Sequence, residues 1–452
     1  MPAAAAARPF MTAIVDDAFL GSDADTAFER ARSTGASAVR IVVIWSSVAP
    51  KRPLNPTDPG DPAYRWDDLD RAIRLASEHG LQPIVDLVDA PPWAGPSGSP
   101  HATTPDPVAF GQFAKAAAAR YSGSFADLPR VRYWQAWNEP NLNLYLKPQW
   151  AGGAPFSPGW YRTMVNQFAD AVKSIHTDNL VIVGGTAPFG GDADLGPLRF
   201  MRELLCLSPS LEPTCREKIH FDIWSHHPYT SGGPTHHAAA PDDVSLGDLP
   251  EMRRVLLAGV EAGSIVSSQP VQFWVTEFSW DTNPPDPKAV PVRLQARWVA
   301  EALYRMWNSG VSLVTWFTLR DQPIDQSFYQ SGLFFGGASL AMARPKPAFT
   351  AFRFPVVGIP IRHGFLVWGR SPSGDAGRVI VEQSFKGGWN RLAVLRADQF
   401  GIFEKSFRRP ATGSVRAQLA GRPDRAIAFV LRREADQVYN PFGKTTLDPA
   451  GP

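Results

Sequence analysis

Eight apolar runs, each followed by a stretch with helical spacing, occupy the chain through residue 354, and this alternation constrains the fold more than any other feature. The runs are FMTAIVDD, AVRIVVIW, LQPIVDLV, VRYWQAWNEP, LVIVGGTAP, FDIWSHHPYT, VQFWVTEFSW and VSLVTWFTL. Between them lie DTAFERARSTG, WDDLDRAIRLASEHG, DPVAFGQFAKAAAARYSG, PGWYRTMVNQFADAVKSIH, PLRFMRELLCL, LPEMRRVLLAGVEAG and PVRLQARWVAEALYRMWNSG, and a short helix near PKPAFTAF closes the set. In the second helix Leu69, Ile73 and Ala76 fall on one face and Gly80 marks the stop. Runs that are apolar throughout suit parallel strands covered on both faces. Eight such units predict an α/β fold, a (β/α)8 TIM barrel, over residues 10–354. An open doubly wound sheet would need fewer units and usually a glycine-rich first turn, and DDAFLGSD carries no phosphate-binding fingerprint.

From residue 355 the texture changes. FLVWGRS, GRVIVEQSF, NRLAVLRAD, GIFEKSFRR, GSVRAQLAG and AIAFVLRR are short, alternating and separated by Gly, Pro, Asp and Ser. They predict a small all-β sandwich over residues 355–434, followed by a loose tail at 435–452. Residues 1–9 are expected to be disordered. A chain of 452 residues has room for a barrel and such a module. The sandwich either binds carbohydrate through aromatics such as Trp389 and Phe385 or buttresses the barrel. The second is expected, because no cluster of exposed aromatics is visible.

The net charge of +2 gives no electrostatic reason to expect nucleic acid or an anionic membrane as partner. No apolar run approaches the roughly 18 residues of a membrane span. Cys206 and Cys215 close the short loop CLSPSLEPTC, which reads as a disulfide in a secreted or cell-surface protein and as two buried thiols in a cytosolic one. The first reading is preferred. The start MPAAAAARPF has neither a charged n-region nor a proper apolar h-region, so secretion implies a signal peptide already lost. A monomer is expected. The 15 Trp are many for any chain, and although most belong to the core, a flat indole is also what stacks on a sugar ring.

Functional groups of a (β/α)8 barrel sit at the C-terminal ends of the strands. Strand four ends in Asn138-Glu139 and strand seven in Thr276-Glu277. Two carboxylates facing one bowl are what glycosidic cleavage needs: one protonated to assist the leaving oxygen, one ionised to attack the anomeric carbon. In a retaining enzyme they stand about 5–5.5 Å apart, and like charge at that distance raises the pKa of one of them.

WQAWNEPN on strand four and WVTEFSW on strand seven resemble glycoside hydrolase clan A, whose members include families 5, 10 and 39. The WNEPN form, with its Trp, resembles family 39 and its neighbours most. The resemblance covers about residues 10–350 and implies a retaining glycosidase acting on a polysaccharide or glycoconjugate, with Glu139 as acid/base and Glu277 as nucleophile. Asn138 would bond the sugar 2-hydroxyl. Arg40 on strand two would bond the nucleophile or form a buried structural ion pair. His227 or Tyr229 after strand six would contact the nucleophile or the sugar, the alternative for either His226 or His227 being a core histidine satisfied by a backbone carbonyl. Trp316 on strand eight would be the sugar platform, the alternative being barrel packing, with Trp93 and Trp45 as candidates for further platforms. Asp86 and Asp89 after strand three either bond sugar hydroxyls or cap their loop. Several clan families carry a His near the end of strand three; VDLVDAPPW has none, which points away from family 5.

Two other readings compete: a catalytically weak carbohydrate-binding surface protein on the same barrel, and a different barrel enzyme. The presence of both acids argues against the first. The second would want a strand-end Lys or a His-x-His pair on strand one, and neither is there. The pair His236-His237 lies in a Gly/Ala/Pro loop and reads as solvated. No metal or organic cofactor is expected.

Overall fold

The computed structural model describes residues 8–96, 103–325, 327, 329–432 and 437–439. Eight parallel strands close a barrel in sequence order: β1 (Met11–Val15), β2 (Ala38–Ile44), β3 (Gln82–Val88), β4 (Tyr133–Ala136), β5 (Leu180–Thr186), β6 (Ile223–His226), β7 (Gln272–Val275) and β8 (Val311–Phe317). β8 closes on β1 with Met11 opposite Leu313 and Val15 opposite Phe317. The helices between them are α1 (Ala24–Ser33), α2 (Asp67–Glu78), α3 (Pro107–Arg120), α4 (Ser157–Ile175), α5 (Pro197–Leu204), α6 (Leu249–Glu261) and α7 (Val292–Asn308), and α8 (Pro347–Arg353) follows β8. Among the described residues no helix is long and apolar enough to cross a membrane.

Strand alternation sorts the barrel interior into layers. Ala13, Ala38, Ile84, Ile182, Ile223, Trp274 and Leu313 form one buried cluster, with Met11 and Tyr133 packed against it. Side chains two residues further along each strand point to the same side. Those positions are Val15, Arg40, Asp86, Gln135, Gly184, Ser225, Thr276 and Thr315, and the six with polar side chains are buried. An apolar floor therefore carries a polar layer, and the strand ends rise from that layer.

The C-terminal strands are β9 (Val356–Ile361), β10 (Gly364–Arg370), β11 (Gly377–Phe385), β12 (Gly388–Ala397), β13 (Ile402–Phe407), β14 (Ser414–Leu419) and β15 (Phe429–Val430). They form two sheets, ordered β9-β10-β13 and β12-β11-β14-β15. The module is fastened to the barrel. Trp368 is fully buried, with ring centroids 5.5 Å from Tyr304, 5.6 Å from Trp307 and 6.2 Å from Phe10. Arg353 of α8 pairs with Asp424, and Arg370 Nε donates to the Phe10 carbonyl at 3.2 Å. Arg8 lies 4.0 Å over the Trp307 ring, so the expected N-terminal disorder does not extend to that residue. Residues 1–7, and the tail apart from 437–439, lie outside the described residues. Cys206 and Cys215 form a disulfide.

Candidate active site

The end of β4 turns sharply, and each residue of its motif has a job in that turn. Trp137 and Glu139 adopt φ of 73° and 42°, in the left-handed region that costs a non-glycine residue energy. The surroundings hold them there. Trp137 is buried and its Nε1–H donates to the Tyr145 carbonyl at 3.0 Å. Glu139 N–H donates to the Gly185 carbonyl at 3.0 Å. Asn141 is fully buried; its amide donates to the carbonyls of Ala187, Phe189 and Leu195 and accepts from Ala187 N–H at 2.8 Å. The approach of β5 requires glycine: a Cβ on Gly184 would sit 2.5 Å from the Ser225 carbonyl oxygen, and Gly185 has φ of 51°.

The two acids meet around one arginine and one histidine. Arg40 is 1% exposed and reaches three neighbours: Glu277 Oε2 at 2.9 Å, Asp86 Oδ2 at 2.6 Å and Asn138 Oδ1 at 2.8 Å. Tyr229 donates its hydroxyl to Glu277 Oε1 at 2.8 Å. His227 Nδ1 lies 3.0 Å from Glu139 Oε1 and 3.8 Å from Glu277 Oε2, and its Nε2 is 3.1 Å from Thr276 Oγ1. The gap between those carboxylate oxygens cannot exceed the sum of the two distances to Nδ1. That bound accommodates the about 5–5.5 Å of a retaining pair. The imidazole also suits both states of Glu139. When ionised, Glu139 accepts from Nδ1–H; when protonated, it donates to Nδ1 while Nε2–H donates to Thr276.

Electrostatics separates the pair. Burial pushes Glu139 above the usual carboxylate range and the Glu277 charge adds to this, against the opposing pull of His227. Burial pushes Glu277 upward as well, but His227, Arg40 and the Tyr229 hydroxyl outweigh it and hold that carboxyl below its ordinary value. One acid is poised to keep its proton and the other to lose it.

The expected site residues divide into two groups. Arg40, Asn138, Glu139, His227, Tyr229 and Glu277 come together. Asp86 joins them through Arg40, and burial raises its pKa to about 7. Asp89 instead ties two loops, accepting from the Ser46 hydroxyl at 2.6 Å, as a capping residue would. His226 is the core histidine: Nε2–H donates to the Val244 carbonyl at 3.0 Å and Nδ1 accepts from the Thr186 hydroxyl at 2.9 Å. Trp45 and Trp316 do not line the bowl. Trp45 is fully buried and stacks on Phe113 of α3, and Trp316, 1% exposed, packs on Phe278 and Phe352 of α8. The reason is parity. Counting by twos from the floor residues Ala38 and Leu313 reaches Ile44 and Phe317, so the adjacent tryptophans face the helices. Trp93 is half-buried, edge-on to Trp45, and bonded to the Ala49 carbonyl. The aromatics at the carboxylates are others. Phe317 meets Tyr329 edge to face at 4.8 Å, and the charges of Glu139 and Glu277 raise the pKa of both Tyr329 and Tyr145 beyond what burial does.

A parallel barrel with an Asn-Glu end on its fourth strand and a clamped Glu on its seventh defines a retaining glycoside hydrolase of clan A. The family model described as cellulase (glycosyl hydrolase family 5) matches residues 8–247, and the chain belongs to that family. The missing histidine at the end of β3 therefore does not set it apart, contrary to expectation; at that level the buried Asp86 pairs with Arg40. No curated protein matches the sequence. Among solved structures, a family 39 glycoside hydrolase from Bacteroides cellulosilyticus is similar with a TM-score of 0.55 at 17% identity, over 88% of this chain and 81% of that one. The GH39 enzyme from Xanthomonas axonopodis pv. citri gives 0.52 at 14%, over 89% and 93%. A monomeric beta-xylosidase from Caulobacter crescentus gives 0.53 at 15%, over 89% and 95%. These coverages exceed what the barrel alone can supply, so the shared fold extends into the C-terminal strands.

Proposed function

We propose that Glu277 is the nucleophile and Glu139 the acid/base of this retaining hydrolase. One observation carries the assignment: donors from Arg40 and Tyr229 clamp both oxygens of Glu277, whereas among the described residues the Glu139 carboxyl has only the two-way bond with His227. In the first step Glu277 attacks the anomeric carbon, the glycosidic C–O bond breaks, and the Glu139 proton goes to the leaving oxygen. In the second, Glu139 takes a proton from water as that water attacks the anomeric carbon and frees the Glu277 carboxylate. Asn138, held by Arg40, is assigned to the sugar 2-hydroxyl, and Phe317, Tyr329 and Tyr145 to the rim of the sugar site.

The test is Glu277→Ala. Hydrolysis of a good aryl glycoside should be abolished, and azide should restore turnover with a glycosyl azide of inverted configuration. Wild-type activity in that variant would overturn the roles. A screen of aryl glycosides and polysaccharides with product analysis then gives sugar, linkage and mode of attack. The Cys206–Cys215 disulfide supports a secreted or cell-surface location, since such bonds persist in oxidising compartments. Fractionation of the native host is the check, and recovery in the cytosol would refute it. A monomer is the expected state, checked by a light-scattering mass near 49.4 kDa.

A further inference from the structure

Barrel and sandwich differ in charge. Between Val356 and Arg432 the chain carries 13 Lys and Arg against five Asp and Glu, although the whole chain is nearly balanced at 45 against 43. Part of that excess is organised on one face. Val379 and Val381 of β11 are fully buried, so Arg378, Ile380 and Glu382 point outward. Register places Arg396 of β12 opposite Arg378, Val394 opposite Ile380, and Trp389 opposite Ser384. Past a bulge, Arg391 stands opposite Glu382, and on the other side Arg416 of β14 does the same.

Glu382 is the one acid in this set and it is already engaged. It accepts from Arg416 Nε at 2.8 Å, and the Arg416 guanidinium lies 3.9 Å over the Trp389 ring. The indole is thereby fixed in place. Arg378, Arg391 and Arg396 have no ion pair among the described residues, and all three are exposed. Like charges directly opposite each other across two strands repel, so the Arg378–Arg396 pair costs the isolated sheet stability. A shallow depression lies between them, lined by Ala376, Gly377, Arg378, Val394, Leu395 and Arg396. β12 is the edge strand, so the depression opens along the border of the sheet. Charge on an edge strand also deters edge-to-edge pairing. That role needs neither two arginines in opposite register nor a tryptophan pinned further along the same face, opposite Ser384.

We propose that this face binds an anionic polysaccharide, a sugar chain bearing carboxylate or sulfate groups at intervals. Arg378 and Arg396 take one acidic group through charge-assisted hydrogen bonds, which guanidinium forks suit better than ammonium groups. Trp389, Val394 and Ile380 offer the apolar surface on which a sugar ring packs. Relief of the arginine repulsion adds to the affinity, and salt screens it. The face would hold an acidic polymer against the enzyme independently of the barrel's carboxylates.

The test is affinity electrophoresis of the full chain in gels containing polygalacturonate, dextran sulfate or neutral dextran. Either anionic polymer should retard the protein and dextran should not; the two anionic arms tell carboxylate from sulfate. Arg378→Ala/Arg396→Ala should weaken retardation by about tenfold in polymer concentration, and Trp389→Ala should weaken it too, with aryl-glycoside turnover unchanged in both as the check on folding. Retardation by neither anionic polymer, equal retardation by dextran, or indifference to the double substitution would each overturn the proposal. So would preferential binding to anionic phospholipid vesicles, abolished by Phe385→Ala at the hairpin tip, or to DNA.

Discussion

The ends of β4 and β7 carry the same residue type, share His227 and lie in the same bowl, yet their surroundings push the two carboxyl pKa values in opposite directions. At β7 the fold brings a cation and a phenol to Glu277. At β4 it spends its hydrogen bonds on the backbone, fixing a left-handed turn through Trp137 and Asn141, and leaves Glu139 with the imidazole. Neighbours, rather than residue type, thus separate two glutamates, and the proposed acid and nucleophile roles follow that separation.

The largest effect is expected from Glu139→Gln. It should lower kcat/KM on an unactivated oligosaccharide by about 10²–10⁴ and leave the first step on a dinitrophenyl glycoside nearly intact, because that leaving group needs no proton. Equal losses on both substrates would mean that Glu139 is not the acid. Arg40→Ala comes next. It strips Glu277 and the buried Asp86 of their shared cation, a loss worth about 3–5 kcal/mol for a buried pair. The pH profile carries the specific signature. Activity should rise as Glu277 ionises, below the ordinary carboxylate range, and fall as Glu139 loses its proton, above it. Without Arg40 the acid limb should move to higher pH while the alkaline limb moves less. Tyr229→Phe should shift the acid limb in the same direction with a loss of about tenfold, the size of one hydrogen bond to a charged group; an unchanged limb would remove Tyr229 from the clamp.

The smallest kinetic effect is expected at His226, the neighbour of His227. Burial lowers its pKa to about 3, below the ordinary value of 6.5. The unfolded chain therefore binds the proton first. The stability this neutral histidine contributes is present above pH 6.5 and is lost as pH falls toward 3. His226→Gln should flatten the decline in urea midpoint between pH 7 and pH 4.5 and leave kcat near wild type. An unaltered slope would mean that another buried group controls acid stability.

Much of this was legible in the sequence because the barrel rule ties chemistry to strand ends. The eight units, both acids, and the shortlist of Arg40, Asn138, His227 and Tyr229 follow from that rule and the clan resemblance. The aromatics were misread for a physical reason. The clan resemblance pointed to Trp316, and Trp45 was read in the same way, yet each lies one residue from the inward position, which in a strand means the opposite face. Counting by twos from the apolar floor would have selected Phe317. Tyr145 and Tyr329 sit on long loops whose paths depend on tertiary contacts, such as the buried Lys346 ammonium that bonds Asp321, Thr282 and the Gln330 carbonyl. No local pattern in the sequence discloses those paths.

The seat of Trp368 bears on how the enzyme can be handled as a part. Its indole fills a socket made by Phe10, ahead of the first strand, and by Tyr304 and Trp307 on α7. A chain cut after residue 355 would be an open vessel, with three aromatic rings wetted where the lid had been. Shuffling or trimming this hydrolase should thus treat barrel and sandwich as one casting.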